Sequence, residues 1–290
     1  MRQYQNTPVK WRVLLYCMGD WKIMPKNDSY LITSKENPAI RRYRKLRDHK
    51  KARKTEQLFV IEGLRIVRDA LQYPDLVEQI LITEKFQMQN AGSPEVLKIP
   101  EKIQILYISD AVGNDLSDTE HAQGIFAVCR MPVQKSIPEI LKPDGRYLVL
   151  CNLQDPGNLG MILRTCDALG IDAVLTTGSC ELYNPKTIRS AMGSALRVSV
   201  VDEPDADKLL HSIRDQHIIN YASVPASDAL SLKDCQFQGG CAVWIGNEGN
   251  GLPEAIITSC DYAVTIPMCG GAESFNAAMA AGIFAWEIMK

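Results

Sequence analysis

The second half of the chain alternates short apolar runs with segments of helical periodicity. Tyr147–Cys151 and Cys241–Ile245 are apolar almost throughout, and such runs between helices predict strands of a parallel sheet that is covered on both faces. The fold class expected for this half is therefore α/β. The predicted strands are 147–151, 173–176, 197–200, 218–222, 241–245 and 263–266, and the predicted helices are 159–169, 185–192, 206–215 and 253–259.

The first half predicts a smaller α/β sandwich, because strand-like runs again alternate with amphipathic helices. A polar segment with Pro132, Pro138 and Pro143 separates the two halves and is typical of a linker. The strands predicted for the first half are 58–61, 79–82, 103–108 and 125–129. We expect a poorly ordered extension at 1–29, a small domain at 30–131, a linker at 132–145 and a second domain at 146–290.

The last predicted helix is rich in alanine and apolar on two sides. It follows a strand that stops at Pro267, and we expect it to begin within residues 273–276, with Ser274 in the N-cap position. A helix that is apolar on two sides is usually buried on both, so we expect one side to pack on the sheet and the other on a second copy of the chain. Helical spacing places one apolar face at Phe275, Met279, Ile283 and Trp286.

Composition narrows the class of protein. The chain of 290 residues carries 32 basic and 34 acidic residues, and no apolar run approaches the ~18 residues that span a bilayer. Its nine cysteines are odd in number and form no C-x-x-C pair, which is typical of reduced thiols in a cytoplasmic protein. The four histidines show no metal-ligand spacing. We expect a cytoplasmic protein that uses neither a membrane nor a metal.

Residues 41–54 concentrate positive charge. They read RRYRKLRDHKKARK, with nine Lys or Arg residues against one Asp. A charge run is often only the solvated face of a helix, but this density, with a tyrosine among the charges, favours contact with nucleic-acid phosphates. The residues predicted to bind RNA are Arg41, Arg42, Arg44, Lys45, Lys50, Lys51, Arg53 and Lys54.

Three segments that follow predicted strands carry the polar residues best suited to chemistry. Residues 152–164 read NLQDPGNLGMILR, residues 243–253 read VWIGNEGNGLP, and residues 266–276 read IPMCGGAESFN. Ligands bind at the carboxyl ends of strands in open α/β sheets, and glycine-rich backbone there can approach a ligand closely. Taken singly, each segment also fits a turn, a helix cap and solvated charges.

In this order and spacing, the three segments closely resemble the SpoU/TrmH family of RNA 2′-O-ribose methyltransferases, within the SPOUT superfamily. The resemblance covers residues 146–290, and residues 30–130 resemble the substrate-binding domain that often precedes them, a domain similar to small ribosomal RNA-binding proteins. It implies a deep trefoil knot, S-adenosylmethionine as cofactor, and a homodimer packed through the knotted region. The implied reaction is ribose methylation of structured RNA, most simply ribosomal RNA. The alternatives are transfer RNA as substrate, or an inactive RNA-binding protein on the same fold.

The resemblance also implies the site residues. Arg164 matches the position at the target hydroxyl and phosphate. A guanidinium is a poor base, so we expect Arg164 to position the RNA, oriented by a bidentate pair with Glu248. Phe275 stands where the family usually has leucine, so its ring either crowds the adenine or stacks on it. The catalytic set is Arg164, Asn158, Glu248, Ser274 and Asn276, and the cofactor-binding set is Gly246, Ile266, Phe275, Ile245 and Met268.

Overall fold

A computed structural model of the chain describes residues 31–90, 97–119 and 122–290. The expectation for residues 1–29 therefore lies outside the described residues. The chain divides into two units between Pro132 and Val133, and each unit has its own sheet. Within the described residues, no helix combines the length and apolar character that crossing a bilayer requires.

The first unit contains a mixed sheet covered by helices. Its elements in chain order are α1 (Pro38–Asp48), α2 (Lys50–Glu56), β1 (Leu58–Glu62), α3 (Leu64–Ala70), β2 (Val77–Thr83), α4 (Glu84–Asn90), β3 (Gln104–Ile108), α5 (Asp110–Leu116) and β4 (Ile125–Arg130). The strand order is β1-β4-β2-β3, in which β4 runs antiparallel to both neighbours and β2 is parallel to β3. The four strands predicted from the sequence are all present.

The basic segment of the first unit lies on α1 and α2. Asn37 caps α1 by accepting the N–H of Ala39, and Pro38 takes the first helical position, where its missing N–H costs nothing. The apolar side of α1 buries Ile40, Tyr43 and Leu46 in the core. Burial of these three side chains turns most of the charged residues of the helix outward.

The second unit contains a seven-stranded parallel sheet. Its elements are α6 (Ile137–Ile140), β5 (Arg146–Cys151), α7 (Pro156–Leu169), β6 (Ala173–Thr177), α8 (Pro185–Ala191), β7 (Val200–Asp202), α9 (Ala206–Asp215), β8 (Ile219–Ser223), β9 (Leu230–Ser231), β10 (Cys241–Ile245), α10 (Glu254–Ser259), β11 (Tyr262–Thr265) and α11 (Ala277–Ile288). The strand order is β7-β6-β5-β10-β8-β11-β9, and every pair is parallel.

Helices cover both faces of this sheet, as the apolar strands predict. Helices α6, α9 and α10 enclose one face with side chains such as Leu209, Ile213 and Ile256. On the other face α7 packs between α8 and α11. The contact of α7 with α8 is close at Gly160, where a Cβ would lie 2.5 Å from the carbonyl oxygen of Thr187. A larger residue there would push apart the two helices that open beside the candidate site.

The segment at 132–145, expected as a linker, contains a short structured element. Ser136 and Glu139 form a capping box at the start of α6. Ile137 and Ile140 are buried in the core of the second unit. Residues of this segment therefore contribute to the second unit although their composition is typical of a linker.

Element boundaries depart from the sequence predictions in three places. The strand expected at 197–200 begins only at Val200, because the N–H groups of Arg197 and Val198 both donate to the carbonyl oxygen of Ser194 in the preceding turn. The two-residue strand β9 was not predicted at all. Helix α11 begins at Ala277, and its cap is Asn276 rather than the expected Ser274: Asn276 Oδ1 accepts the N–H groups of Ala278 and Met279.

The side of α11 that faces the core also differs from the prediction. Its alanines, with Phe284 and Ile288, pack inside the subunit, and Ala281 is fully buried. Small side chains let the helix axis approach its neighbours closely. The apolar face that helical spacing predicts is instead largely exposed: Phe275 is 41%, Met279 51% and Trp286 58% accessible, and Ile283 is half-buried. We call these four residues the apolar stripe.

Candidate active site

The three polar segments meet at one edge of the second sheet, where the parallel strands β5, β10 and β11 end. The first segment leaves β5 and opens α7. Asp155 is the N-cap of α7, and its Oδ1 accepts the N–H of Asn158 at 2.9 Å. Lys186, at the start of α8, pairs with the other oxygen of Asp155 at 2.8 Å and lowers the pKa of that carboxyl. Asp155 caps the helix, so the Asn158 side chain is free to contact the other loops.

Glu248 joins the loop after β10 to the loop after β5. Its Oε1 accepts the backbone N–H of Asp155 (2.9 Å) and the side-chain amide of Asn158 (3.0 Å). Its Oε2 accepts the backbone N–H of Gln154 at 3.1 Å. Hydrogen bonds to an ionised acceptor are among the stronger ones in proteins. The carboxylate therefore fixes the position of the loop that opens α7.

Asn276 adds the third segment to the same network. Its Nδ2 donates to Asn158 Oδ1 at 3.1 Å, while its own Oδ1 caps α11. The direction of every amide follows from the carboxylate: Glu248 only accepts, so Asn158 must present its Nδ2 to it and its Oδ1 to Asn276. The order Asn276 to Asn158 to Glu248 is therefore the arrangement in which every donor meets an acceptor.

The loop that carries Glu248 is tightly folded. Asn247 and Gly251 exchange two backbone hydrogen bonds at 2.9 and 3.0 Å, and Asn247 Oδ1 accepts the N–H groups of Gly249 and Asn250. A Cβ at Gly246 would lie 2.2 Å from the carbonyl carbon of Gly251, so only glycine fits where the strand enters this turn.

The network also determines the charge state of Glu248. Partial burial on its own would raise the pKa of the carboxyl. The hydrogen bonds from Asn158, Asp155 and Gln154 outweigh that effect and hold the pKa of Glu248 below its ordinary value. Glu248 is therefore an anion at neutral pH and acts as a fixed acceptor.

A cleft of ≈ 670 Å³ opens beside this network. Clefts of about 300–1,000 Å³ hold cofactor-sized ligands. The cleft combines apolar walls, exposed glycine backbone and polar side chains, a set of groups that suits a nucleoside joined to an amino acid. All five predicted cofactor residues line it, as do Glu248 and Ser274; the five are Ile245, Gly246, Ile266, Met268 and Phe275.

Sequence reasoning missed one wall of the cleft. Residues within 223–229, at the end of β8 and in the loop after it, line the cleft, and they include Ser223, Pro225 and Asp228. In the sheet β8 lies between β10 and β11. The strand order therefore brings this loop to the site. The segment itself carries no glycine-rich or paired-polar motif, so its only signal was that it follows a predicted strand.

Arg164 lies apart from the hydrogen-bond network. It is exposed on α7, one turn beyond the exposed Met161. The expected bidentate pair with Glu248 is not formed: both carboxylate oxygens are taken by the groups described above, and Arg164 contacts no acceptor in the part of the chain that the structure describes. The structure thus brings together Asn158, Glu248 and Asn276, with Ser274 in the adjoining cleft, but not Arg164.

The predicted RNA-binding residues divide into three groups. Arg53 is buried and donates to the carbonyl oxygens of Leu46 and Arg47, so it stabilises the turn between α1 and α2. Arg42, Arg44 and Lys45 form ion pairs with acidic neighbours. The side chains that are exposed and have no ion pair within the described ranges are Arg41, Lys50, Lys51 and Lys54.

The described residues offer no group of three or more His, Cys, Asp or Glu side chains that could hold a metal ion.

Comparison with known proteins gives matches over both units. Residues 145–286 match the model of the SpoU rRNA Methylase family, and residues 37–127 match the model of an MRM3-like substrate binding domain. The chain is 32% identical over 267 residues to the 23S rRNA (guanosine(2553)-2′-O)-methyltransferase RlmP of Bacillus subtilis, covering 89% of this chain and 98% of that protein.

Solved structures share the fold over nearly the whole length. One described as an RNA 2′-O ribose methyltransferase superposes with a TM-score of 0.74 at 31% identity, covering 89% of this chain and 97% of the other. The SpoU methyltransferase AviRb from Streptomyces viridochromogenes, in complex with AdoMet, gives a TM-score of 0.76 at 25% identity, covering 87% and 97%.

The lowered pKa of Glu248 makes a prediction about stability. A carboxyl whose pKa is lower in the folded than in the unfolded state stabilises the fold above its unfolded value of about 4.3. That contribution is lost as the pH falls through the folded value. Glu248→Gln should reduce the free energy of unfolding by about 1–2 kcal/mol at pH 7. A value near the lower limit of this range is expected because the side chain is partly exposed.

The difference between Glu248→Gln and the unmodified protein should shrink as the pH is lowered below about 4.3. Urea unfolding at a series of pH values measures it. The control is Glu273→Gln, an exposed carboxylate with no hydrogen bond among the described residues, which should show a small and constant difference. A Glu248→Gln effect that does not change with pH would contradict the assignment.

Proposed function

Because the chain belongs to the SpoU rRNA methylase family, we propose that it transfers a methyl group from S-adenosylmethionine to a ribose 2′-hydroxyl of ribosomal RNA. The observation that carries the proposal is the union of the three polar segments: Asn276, Asn158 and Glu248 are hydrogen-bonded in series beside a cofactor-sized cleft. The ribosomal substrate is supported by the name of the Bacillus relative.

The bound cofactor would supply an electrophilic methyl group on a sulfonium. Ile245, Gly246, Ile266, Met268 and Phe275 would hold it, since they line the cleft. The apolar walls suit the adenine, and the glycine-rich backbone supplies N–H and C=O groups at its edges. Pre-organisation of this kind lowers the barrier without chemistry by the protein itself.

Arg164 would act on the RNA. A guanidinium is a poor base, so Arg164 is suited to binding the phosphate next to the target ribose and unsuited to removing a proton. Its exposure on α7 leaves it free for such a contact. Ser274, at the cleft, and Asn276 would contact the ribose, and the network through Asn158 and Glu248 would hold them in place.

Transfer RNA as substrate and an inactive RNA-binding protein are the alternatives. Residues 37–127 match a substrate-binding domain, and the Bacillus relative is named as a methyltransferase of ribosomal RNA. Together these findings favour ribosomal RNA as the substrate. A protein that only binds RNA would not need a hydrogen-bonded network of amides and a carboxylate beside the cleft. Every member of that network is hydrogen-bonded here, which favours an active enzyme.

We infer that the C-terminal part of the second unit forms a trefoil knot. The path of the chain supports this: β10 lies between β5 and β8, β11 lies beyond β8, and the chain then returns so that α11 packs on α7 and β5. Knotted folds are rare exceptions to the ordinary rules of chain topology. We further propose that residues 30–131 act as an RNA-binding domain similar to small ribosomal proteins, ahead of a methyltransferase domain at 146–290.

The reaction is proposed to take place in the cytoplasm. Eight cysteines of the described residues are free thiols, and buried ones such as Cys166 have a pKa raised to about 12 by desolvation. Unpaired, unreactive thiols fit a reducing compartment.

A homodimer is proposed through the apolar stripe. Thr165 Cγ2 of α7 is 3.7 Å from the position that a Cβ would take at Gly282, so α7 and α11 lie side by side. Three residues of the stripe (Phe275, Met279 and Trp286) and Met161 on α7 are exposed large hydrophobic side chains, and exposed apolar surface of this kind is typical of an interface. A two-fold interface there would place Arg164 close to the partner subunit.

The proposed reaction is tested by mapping 2′-O-methyl groups in the RNA of a strain that lacks the gene. We expect one ribosomal site to lose its methyl group and to regain it when the unmodified protein is returned. Arg164→Ala should fail to restore it, while its affinity for S-adenosylmethionine in calorimetry stays within a few-fold, because Arg164 acts on the RNA. Loss of a transfer-RNA site instead would favour the first alternative. A strain with unchanged RNA and a protein that binds no cofactor would favour the second.

RNA binding is expected to depend on the unpaired basic side chains. Replacing all four by glutamine should weaken RNA binding and lower the slope of log affinity against log salt by roughly 3, since each phosphate contact contributes about 0.7–0.9. The four are Arg41, Lys50, Lys51 and Lys54. Filter binding at several salt concentrations measures the slope.

The control for this variant is Lys142→Gln with Lys233→Gln, two exposed lysines of the second unit, which should leave the slope unchanged. Arg53 is left intact because it is buried, and its loss would destabilise the domain. An unchanged slope in the fourfold variant would show that these side chains do not contact phosphate.

The dimer is tested with Met279→Arg. Met279 is 51% exposed in the subunit, so the arginine should leave folding intact but place an unpaired charge in the interface, which costs several kcal/mol. Sedimentation should show a dimer for the unmodified protein and a monomer for the variant. Ala281 of the same helix is unsuited to this test, because it is fully buried within the subunit and its replacement by arginine would disrupt the fold.

Met88→Arg is the matched control, because Met88 is 59% exposed on the first unit; this variant should remain dimeric. An unmodified protein that sediments as a monomer at micromolar concentration would refute the dimer. A Met279→Arg variant that stays dimeric would refute the stripe as its interface.

A further inference from the structure

The charged side chains of the cleft all have one sign. Among the described residues that line it, the ionisable acids are Asp228, Glu248 and Glu254, and there is no Lys, Arg or His. Glu248 is engaged by hydrogen bonds from the loop before α7. The carboxylates of Asp228 and Glu254 do not hold a loop in place in this way.

Asp228 and Glu254 flank the cleft from different elements. Asp228 belongs to the loop after β8, and Glu254 is the first residue of α10. Both side chains are exposed, and neither makes a hydrogen bond or an ion pair to another side chain in the described part of the chain. Unpaired carboxylates on a cleft wall leave a negative potential in the space between them.

That potential distinguishes the two forms of the cofactor. Methyl transfer breaks the S–CH₃ bond, forms an O–CH₃ bond and leaves the electron pair on sulfur, while the hydroxyl proton passes to solvent. S-adenosylmethionine therefore differs from its product, S-adenosylhomocysteine, by one methyl group and one positive charge. A nearby carboxylate stabilises the first through its sulfonium and gains nothing equivalent from the neutral thioether.

We propose that Asp228 and Glu254 make the cleft selective for the charged cofactor over its neutral product. The selectivity is electrostatic, so S-adenosylhomocysteine would bind the cleft more weakly than S-adenosylmethionine. After methyl transfer the product would dissociate, and a new molecule of S-adenosylmethionine would replace it. The inference rests on the proposed function, because it takes this cleft to be the cofactor site.

The test compares the dissociation constants of the two ligands by calorimetry. For the unmodified protein, S-adenosylmethionine should bind more tightly than S-adenosylhomocysteine. The variant Asp228→Asn with Glu254→Gln should lose roughly three- to tenfold of that preference, as expected for two exposed charges that act through solvent. The loss should come mainly from weaker binding of S-adenosylmethionine.

Salt supplies a second readout. Exposed charges are screened within about 10 Å at 0.1 M ionic strength, so the preference of the unmodified protein should fall as salt is raised, while that of the double variant should change little. The control is Asp215→Asn, an exposed carboxylate at the end of α9 that does not line the cleft. It should behave as the unmodified protein does.

The possible results distinguish failure of the selectivity inference from failure of the cofactor assignment. A double variant that keeps the full preference, or that weakens both ligands equally, would overturn the inference while leaving the cofactor site in place. Failure of the unmodified protein to bind either ligand would overturn the cofactor assignment itself, and the inference with it.

Discussion

The geometry of the candidate site depends on a short series of hydrogen bonds that ends on one carboxylate. Glu248 accepts from Asn158, and Asn158 accepts from Asn276, although these pairs are 90 and 118 residues apart in the chain. Loops at strand ends are otherwise the most mobile parts of an α/β fold. Here three of them are tied together, and because the carboxylate of Glu248 is ionised, the bonds that it accepts are stronger than those between neutral groups. Loss of Glu248 or Asn276 would leave the buried amide of Asn158 without one of its partners, which costs more than the bond itself contributes.

Sequence reasoning identified the residues of this network but not their arrangement. The three segments were identified because, in their order and spacing, they resemble the SpoU/TrmH family. The pairing was not, since it depends on which loops the sheet brings together. Glu248 was expected to orient Arg164, yet its oxygens are filled by groups next to it in the fold. The loop with Asp228 was missed for the same reason: only the strand order places β8 between β10 and β11.

Periodicity gave the elements more reliably than it gave their environment. It predicted a helix with an apolar face at Phe275, Met279, Ile283 and Trp286, and the helix is present. The face that packs inside the subunit is the opposite one, built from alanines with Phe284 and Ile288. A hydrophobic pattern shows which side chains avoid water. It cannot show whether the same chain or another covers them. The N-cap was misplaced by two residues because Ser274 and Asn276 are both favourable caps, and the hydrogen bond to Asn158 decides between them.

The central claim is that the three loops act as one unit in shaping the cleft, and a double-mutant cycle tests it most directly. Asn158→Ala removes the middle of the network, and Asn276→Ser removes its amide donor while keeping a good cap for α11. Neither Asn158 nor Asn276 lines the cleft, so any loss of S-adenosylmethionine affinity must be transmitted through the network. We predict that each single variant weakens binding in calorimetry and that the double variant is hardly weaker than the worse single one, with a coupling energy of about 0.5–3 kcal/mol. Strictly additive losses, or single variants with unchanged affinity, would contradict the account.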